Sequence, residues 1–507
     1  MRYLIGIDIG TSATKTVLFD SQGTVIASAS QSYPLYQPEN GWAQQRPEDW
    51  RDAVLATLKA VVEEAAIPAD QIEGIGLSGQ MHGLVMLDEK GEVLRPSIIW
   101  CDQRTGEEVE DMLRLMPRER WIQITANPPL TGWTAAKILW VRKHEPEVYA
   151  RCRHILLPKD YIRYVLTGVF ATEVSDASGM QLLDVPGRCW SDEVLETLSI
   201  DKALLGRVYE SCEVTGQLLP EVAAKTGLTC AVKVVGGAGD NAAAAIGTGV
   251  VRDGDAFTTI GTSGVVFAHS SAVAIDPAGR VHTCCCAVPG AWHIMGVTQG
   301  AGLSLKWFKD QFCQDLVQKA GEQGVDVYDL INEAVSRVPA GSDRLLYLPY
   351  LMGERTPHLD PDCRGVFFGL SAIHTKAHLL RAVMEGVAYS LGDCDQILKE
   401  MGISVSRMMA CGGGAKSPHW RQMLADLYRC PVKTVEQAEG PALGAAILAG
   451  VGCKIYPSVE EACDCLIREK SSTEPILKEA DVYAACHSLY QKLYQSLKED
   501  YKLLARL

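Results

Sequence analysis

Short apolar runs of strand length alternate along the chain with longer amphipathic segments. The runs Leu4–Ile9, Ile72–Leu77 and Val232–Val235 are each followed by a polar, glycine-containing stretch, which is typical of buried strands that end in turns. Glu48–Ala66 and Lys376–Leu391 instead place apolar residues at helical spacing. This alternation of strands and helices predicts an α/β fold.

One short pattern occurs twice. Ile9–Ser12 reads Ile-Gly-Thr-Ser, and Ile260–Ser263 repeats it near the middle of the chain, with β-rich flanks around both copies. A four-residue match alone also arises by chance, but the flanks and the mid-chain position favour a duplicated strand–turn–strand unit. We therefore predict two domains of similar build, residues 1–249 and 250–507, that meet at the turn-rich segment Gly247–Asp255.

The second half contains a further strand-to-helix connection. Ser406–Ala410 is predicted as a strand, and it leads through Gly412, Gly413, Gly414 and Ala415 into a helix. Ser417 suits the N-cap of this helix, and Pro418 suits its first position. Tyr483–Leu507 is predicted as a charged helical tail.

Composition narrows the class of protein. The 507 residues exceed what one hydrophobic core usually serves, and 47% hydrophobic with 22% charged residues is an ordinary globular balance. The net charge of −14 disfavours nucleic acid as a partner. The sequence begins with a predicted strand, and its apolar runs are too short to span a bilayer. Its 17 cysteines are scattered along the chain, apart from the run Cys284–Cys286. We therefore expect a reduced, cytoplasmic protein with no membrane partner.

The first copy of the repeat carries candidate phosphate chemistry. Asp8 ends a strand, Gly10 lets the backbone approach an anion closely, and Thr11, Ser12 and Lys15 add hydroxyls and a positive charge. An acid beside such a turn suits hydrated Mg²⁺. An ordinary hairpin turn would use the same residue types.

The second copy keeps Gly261, Thr262 and Ser263 but has Thr259 where the first has Asp8. Two such turns could hold a polyphosphate from both sides. Gly412–Gly414 could lie against a nucleoside, although a flexible connection explains these glycines equally well. The sequence contains no P-loop motif.

Asp240 and Asn241 follow a glycine turn where a small-residue helix is expected to begin. A carboxylate there could accept the proton of an attacking substrate hydroxyl. A helix N-terminus also favours aspartate for structural reasons alone. Both interpretations stay open at this point.

Further polar side chains could contact a sugar. Met81 and His82 follow the strand Ile72–Leu77, and Trp100, Asp102 and Arg104 combine planar and charged groups. A histidine after a strand, or an exposed turn, explains these residues without any ligand.

Together these motifs resemble those of the FGGY carbohydrate kinases, which belong to the actin-like ATPase superfamily. The resemblance covers nearly the whole chain and includes Gly132–His144 and Gly365–Glu385 as longer matching patterns. It implies two actin-like, ribonuclease-H-like domains with a catalytic cleft between them, and ATP with Mg²⁺ as cofactors. The phosphate motifs would be Asp8–Lys15 and Thr258–Gly264, and the adenosine motif would be Gly412–Ala415.

Within the family the resemblance is closest to the branch that phosphorylates D-xylulose. It is carried by Gln80–Gly83, Leu157–Tyr161, Gly239–Ala242, Leu348–Leu351 and Gly353–His358. It implies Asp240 as proton acceptor, Asp8 near Mg²⁺, Gly302 near the adenine, and sugar contacts from Met81, His82, Asp240 and Asn241. Lys306 departs from the glutamine of glycerol kinases at that place.

The resemblance also allows a homodimer, although the sequence indicates no interface. It assigns no role to Cys284–Cys286. Two alternatives remain: a kinase for another ketose or polyol such as ribulose, and a non-catalytic ATP-driven switch on the same fold.

Overall fold

The computed structural model describes residues 2–436 and 439–507. Its first half contains the following strands: β1 Tyr3–Ile9, β2 Ala13–Asp20, β3 Val25–Ser32, β4 Gln44–Gln45, β5 Ile72–Gly79, β6 Val85–Leu87, β7 Ser97–Ile98, β8 His154–Leu156, β9 Ala171–Glu173, β10 Leu183–Asp184, β11 Cys189–Trp190, β12 Arg207–Tyr209, β13 Val214–Gln217, β14 Lys233–Val235 and β15 Ala238–Gly239. Its helices are α1 Pro47–Ala65, α2 Gly106–Leu115, α3 Arg118–Thr125, α4 Thr134–His144, α5 Pro146–Arg151, α6 Pro158–Thr167, α7 Val174–Ala177, α8 Asp192–Leu198, α9 Pro220–Thr226 and α10 Asp240–Gly247.

The second half contains the following strands: β16 Asp255–Ile260, β17 Gly264–Ser270, β18 His282–Cys285, β19 Trp292–Thr298, β20 Leu346–Leu348, β21 Val366–Phe368, β22 Arg407–Cys411, β23 Val432–Val435 and β24 Glu469–Thr473. Its helices are α11 Gly302–Phe312, α12 Gln314–Gln323, α13 Val327–Val335, α14 Lys376–Glu400, α15 Pro418–Tyr428, α16 Gly440–Gly452, α17 Val459–Leu466 and α18 Leu477–Leu504. Short 3₁₀ turns lie at Ala69–Gln71, Ser178–Met180, Lys202–Leu204, Ser342–Arg344 and Gly413–Lys416.

Each half of the chain builds a mixed seven-stranded sheet. The order of the first sheet is β13-β14-β5-β1-β2-β3, with β15 also pairing with β5, and the order of the second is β18-β19-β17-β16-β22-β23-β24. In both sheets an antiparallel hairpin, β1–β2 or β16–β17, has a parallel neighbour, β5 or β22. The predicted α/β fold with a duplicated two-domain plan is therefore confirmed.

Two small-residue helices, α10 and α16, lie between the sheets. They cross so closely that a Cβ on Gly247 would stand 1.8 Å from the carbonyl oxygen of Gly440, and one on Gly444 would stand 1.9 Å from that of Ala243. Their apolar side chains share one core cluster with both sheets, including Phe257 of β16. Glycine and alanine at this crossing let the two backbones touch.

Helix α16 belongs to the second half of the chain but packs on the first sheet. A Cβ on Gly6 of β1 would lie 1.8 Å from the oxygen of Ala442, and one on Gly76 of β5 would lie 1.8 Å from that of Ala445. Since neither strand carries a side chain there, the helix lies directly on the strand backbones. The equivalent pair in the second sheet is Phe257 and Met409.

The remaining elements agree closely with the sequence-based predictions. Ser417 accepts a hydrogen bond from the backbone N–H of Trp420, as expected of an N-cap, and α15 begins at Pro418. The predicted tail helix begins earlier than expected, at Leu477. All 17 cysteines, each within the described residues, are free thiols. None of the helices described is both long and apolar enough to cross a membrane.

Candidate active site

The carboxyl ends of three parallel strands bring the predicted sugar and phosphate residues of the first domain together. β5 lies between β1 and β15, with Asp8 opposite Ser78 and with Gly239 opposite Gly79. Because parallel strands end at the same edge of a sheet, the residues that follow them share this edge. Asp8 and Asp240 are thus close enough for their charges to interact.

Asp240 is the first residue of α10, as the sequence predicted. One of its carboxylate oxygens accepts hydrogen bonds from the backbone N–H and the side-chain amide of Asn241, at 2.8 and 3.0 Å. Burial, and then the nearby charge of Asp8, raise the pKa of Asp240 to about 7, although the Asn241 hydrogen bonds oppose the shift. A carboxyl that titrates near neutrality suits a group that accepts a proton during turnover.

Asp8 lies at the end of β1. The Ser78 hydroxyl donates a 2.8 Å hydrogen bond to Oδ1 of Asp8. Burial raises the pKa of Asp8, while the Ser78 hydrogen bond and the charge of Lys15 oppose that shift. Lys15 itself forms an ion pair of 2.5 Å with Glu439, just before α16. The cation that the sequence assigned to phosphate therefore already has an acidic partner in this structure.

The glycine turn that carries Asp240 rests on a buried charged network. Lys159 and Arg163 of α6 both donate to the carbonyl of Gly236, at 3.2 and 3.0 Å. The hydroxyl of Ser175 accepts a 3.1 Å hydrogen bond from the backbone N–H of Gly239, immediately before Asp240. These contacts fix where the carboxylate of Asp240 stands. The family resemblance includes Leu157–Tyr161, but the residue types of this segment alone do not indicate that it supports Asp240.

Met81 and His82 occupy the turn after β5, beside Asp240. The nearest atom to a Cβ placed on Gly239 would be Cγ of Met81, at 2.8 Å, and a Cβ on Gly179 would meet Nδ1 of His82 at 2.5 Å. His82 has a positive φ of 67°. Its Nδ1 lies 2.8 Å from the carbonyl oxygen of Gly179. Burial lowers the pKa of His82 to about 3, so the ring is neutral at pH 7.

Helix α4 and the residue before it contact the turn at Met81 and His82. Trp133, just before α4, stacks on the His82 ring with 4.7 Å between ring centroids. Lys137 donates to the carbonyl of His82 at 2.8 Å and to that of Gly132 at 2.7 Å. The segment Gly132–His144 thus supports the unusual backbone of His82. A lysine within an otherwise apolar helical pattern was the signal that could have indicated this role.

Trp100, Asp102 and Arg104 divide between two positions. The indole Nε1 of Trp100 donates a 2.9 Å hydrogen bond to the Thr11 hydroxyl, at the first phosphate turn. Asp102 and Arg104 are instead buried and paired, with 2.7 Å between Oδ2 and a guanidinium nitrogen. Arg104 also lies 3.7 Å above the ring of Trp42. In this structure the two charged side chains bind each other and offer little exposed surface, so their assignment to the sugar site stays a prediction.

The second phosphate turn and the glycine stretch Gly412–Gly414 meet at one end of the second sheet. The backbone N–H of Gly302 donates a 2.7 Å hydrogen bond to the carbonyl of Gly261, and that of Leu303 donates to the carbonyl of Thr262. Gly412 has a positive φ of 78°. A cavity of about 450 Å³ opens here, and its lining includes Gly261, Thr262, Gly302, Lys306, Asp329, Gly413, Gly414 and Trp420.

Three predicted nucleotide residues of the second domain, Gly412, Ala415 and Ser263, do not line this cavity. Gly412 and Ala415 line a neighbouring cavity of about 920 Å³, between α10 and the second sheet. Lys306 lines the nucleotide-sized cavity but extends to the surface, where it pairs with Asp310. Ser263 lies in the turn between β16 and β17, where its carbonyl accepts from the N–H of Gly261. The structure therefore gathers most of the predicted adenosine and second phosphate residues at one place.

Comparisons with known proteins define the class. The model of the FGGY family of carbohydrate kinases, N-terminal domain, matches residues 3–247, and that of the C-terminal domain matches residues 256–453. The xylulose kinase of Bacillus subtilis is 40% identical over 98% of both chains. A solved xylulose kinase from Brucella ovis aligns with a TM-score of 0.90 at 34% identity, covering 98% of this chain and 100% of the other. The gluconokinase of Bacillus subtilis is 32% identical over 99% of this chain and 98% of its own.

The fold and these matches define a carbohydrate kinase of two α/β domains. The chain belongs to the FGGY family of carbohydrate kinases.

Proposed function

We propose that this enzyme transfers the γ-phosphate of ATP to the terminal hydroxyl of D-xylulose, giving D-xylulose 5-phosphate. The observation that carries the proposal is the position of Asp240, a partly buried carboxyl beside both Asp8 and the Met81–His82 turn. The Bacillus subtilis relative, a xylulose kinase, supports the choice of sugar.

Asp240 accepts the proton of the sugar hydroxyl as the hydroxyl oxygen bonds to the γ-phosphorus. The bond between this phosphorus and the oxygen that bridges to the β-phosphate breaks, and ADP leaves. The amide of Asn241 and the carbonyl of Gly236 hold this carboxylate and its turn in place. Met81 and the neutral His82 line the sugar pocket, where a neutral ring can exchange hydrogen bonds with hydroxyls. Backbone N–H groups and hydroxyls at Thr11, Ser12, Thr262 and Ser263 bind phosphate oxygens and stabilise their developing charge.

The residues at the end of β1 fit Mg²⁺. No group of three or more potential metal ligands is gathered within the described residues, and Mg²⁺ typically takes one or two carboxylates and completes its shell with waters and phosphate oxygens. Asp8, beside Ser78 and Asp240, is the carboxylate that would hold it. When bound, the metal neutralises phosphate charge in the transition state.

The nucleoside would occupy the cavity between α11 and Gly412–Gly414, near Gly302. Its lining is partly apolar, through Leu305, Ile331 and Trp420, as a flat base requires. We expect the enzyme to act in the cytoplasm, without nucleic acid or membrane. The homodimer that the family resemblance allows stays a prediction.

The test is coupled ADP release with ATP and Mg²⁺ against a panel of D-xylulose, D-ribulose, L-ribulose, L-xylulose, L-fuculose, glycerol and gluconate. We expect the highest kcat/KM for D-xylulose. A different preferred sugar, such as D-ribulose, would keep the kinase but refute the substrate. Gluconate is in the panel because a gluconokinase is among the relatives. Absence of turnover with every sugar would instead favour the ATP-driven switch.

A further inference from the structure

The loop segment Gly353–His358, between β20 and β21, is attached to the end of β19. The buried carboxylate of Glu354 accepts hydrogen bonds from the backbone N–H groups of Gln299 and Arg355, at 2.7 and 2.8 Å. Thr356 exchanges two further hydrogen bonds with Val297, at 3.0 and 3.1 Å. The backbone of Arg355 is thus fixed between two anchored residues.

The end of β19 also leads into the second phosphate turn. Thr298 pairs with Gly264, the residue that directly follows that turn. A few residues further on, the N–H of Gly302 is bonded to the carbonyl of Gly261. A displacement of the Arg355 segment would therefore move backbone that lies within a few residues of the second phosphate turn.

The same segment reaches towards the sugar residues of the first domain. The hydroxyl of Thr356 donates to the carbonyl of Arg280, two residues before His282. The ring of His282 lies 5.5 Å from that of Trp133, which in turn stacks on His82. Consistent with this geometry, the charge of Arg355 is one of the causes that lower the pKa of His82 and of His282, after burial.

The guanidinium of Arg355 has no hydrogen bond or ion pair to any residue in 2–436 or 439–507. Two buried arginines do have partners: Arg163 bonds Asp160 and Arg381 bonds Glu385. Arg355 is partly exposed, and the burial of the rest of its side chain lowers its pKa. Its N–H donors are therefore free to bond a ligand that brings its own oxygens.

We propose that Arg355, carried by the second domain, donates hydrogen bonds to oxygen atoms of the acceptor sugar beside His82, and so determines sugar specificity. The inference rests on the proposed function. The guanidinium has five N–H donors and no acceptor, so it selects a carbonyl or hydroxyl oxygen. The hydrogen bonds of Glu354 and Thr356, and not the side chain of Arg355, attach this segment to the strand that enters the second phosphate turn.

The test compares Arg355→Gln and Arg355→Lys with Arg364→Gln. Arg364 lies on the same loop, is exposed, and donates only to the neighbouring carbonyls of Pro361 and Cys363. We expect Arg355→Gln to raise KM for D-xylulose, and its Kd by calorimetry without nucleotide, by about 10- to 100-fold, as for loss of a charged hydrogen bond. Arg355→Lys should recover part of this loss, and Arg364→Gln should match the wild type.

The nucleotide readouts separate a sugar contact from a structural role. KM for ATP and the slow hydrolysis of ATP without sugar should change less than about threefold in Arg355→Gln. Equal losses in sugar and ATP binding, or unchanged sugar binding, would overturn the proposal. Selective loss of gluconate binding, with D-xylulose unaffected, would overturn it in favour of a carboxylate site.

A lack of kinase activity and a lack of sugar contact by Arg355 give different results. If the wild type phosphorylates none of the sugars, the proposed function fails, and the calorimetric titration of D-xylulose into wild type and Arg355→Gln still decides the role of Arg355. If the wild type is active and Arg355→Gln is equally active with the same KM, only the inference fails.

Discussion

The two hairpins β1–β2 and β16–β17 share one backbone plan but carry different chemistry. In the first, Asp8 pairs across the sheet with Ser78; at the equivalent place the second has Thr259 beside Cys411. The helix that follows the outer parallel strand begins with Asp240 in the first domain and with Gly440 in the second. Both acids of the candidate site thus belong to one half of the duplicated plan. The two copies thus share a backbone plan, and only the first carries carboxylates at these two places.

Removal of the acid at the start of α10 is expected to have the largest effect. We expect Asp240→Asn to lower kcat by about 10²- to 10⁴-fold, because an amide cannot accept the proton, while KM for the sugar changes little. Steady-state kinetics measure both. Asp192→Asn is the matched control, since Asp192 also begins a helix but lies exposed beside Lys202. Near-normal turnover of Asp240→Asn would refute its assigned role.

Asp8 and Thr259 test the two hairpins directly against each other. Asp8→Asn should lower kcat/KM for ATP by about 100-fold, because the carboxylate proposed to hold the metal is lost. Thr259→Ala should change the same constant by less than about threefold. Equal losses of kcat/KM in both variants would show that Asp8 and Thr259 contribute equally to the reaction with ATP. Titration of Mg²⁺ should show a raised requirement only in Asp8→Asn.

Gly6 and Phe257 occupy equivalent positions in the two hairpins, but only Gly6 lacks a side chain, because α16 lies directly on the first sheet. Gly6→Ala would place a methyl group 1.8 Å from the oxygen of Ala442, so we expect a loss of about 3 kcal/mol in the free energy of unfolding. Urea unfolding measures it. Gly321→Ala is the control, because nothing lies within 4 Å of its Cβ inside α12; it should be neutral or stabilising by up to about 1 kcal/mol. An equally stable Gly6→Ala would contradict the tight contact.

The pH dependence gives the smallest effect. Because Asp240 must be ionised to accept a proton and has a pKa raised to about 7, kcat/KM for the sugar should fall about tenfold per pH unit below that value. Removing the charge of Asp8 removes one cause of the raised pKa, so the midpoint in Asp8→Asn should move to lower pH. A midpoint that stays unchanged would show that the two carboxylates do not interact.

Local patterns predicted the parts of this molecule that depend on neighbours in sequence. The duplicated hairpin, the strand before Asp240 and the N-cap at Ser417 are all confirmed, because turn and cap chemistry acts over a few residues. The pairing of Asp102 with Arg104 was missed, since it depends on Trp42 and Trp140 packing around the guanidinium. The support of Asp240 by Lys159 and Arg163 was missed for the same reason: α6 and the turn at Gly236 are far apart in sequence.

The position of α16 has a consequence for how the chain is made. Residues 440–452 cover the first sheet at Gly6 and Gly76, yet they are synthesised long after its last strand. The first domain therefore leaves the ribosome with its sheet uncovered at Gly6 and Gly76 and cannot complete its core until almost the whole chain has emerged. A nascent chain stalled before residue 440 should be protease-sensitive and bound by chaperones. Synthesis of residues 440–452 should then cover the sheet and end this sensitivity.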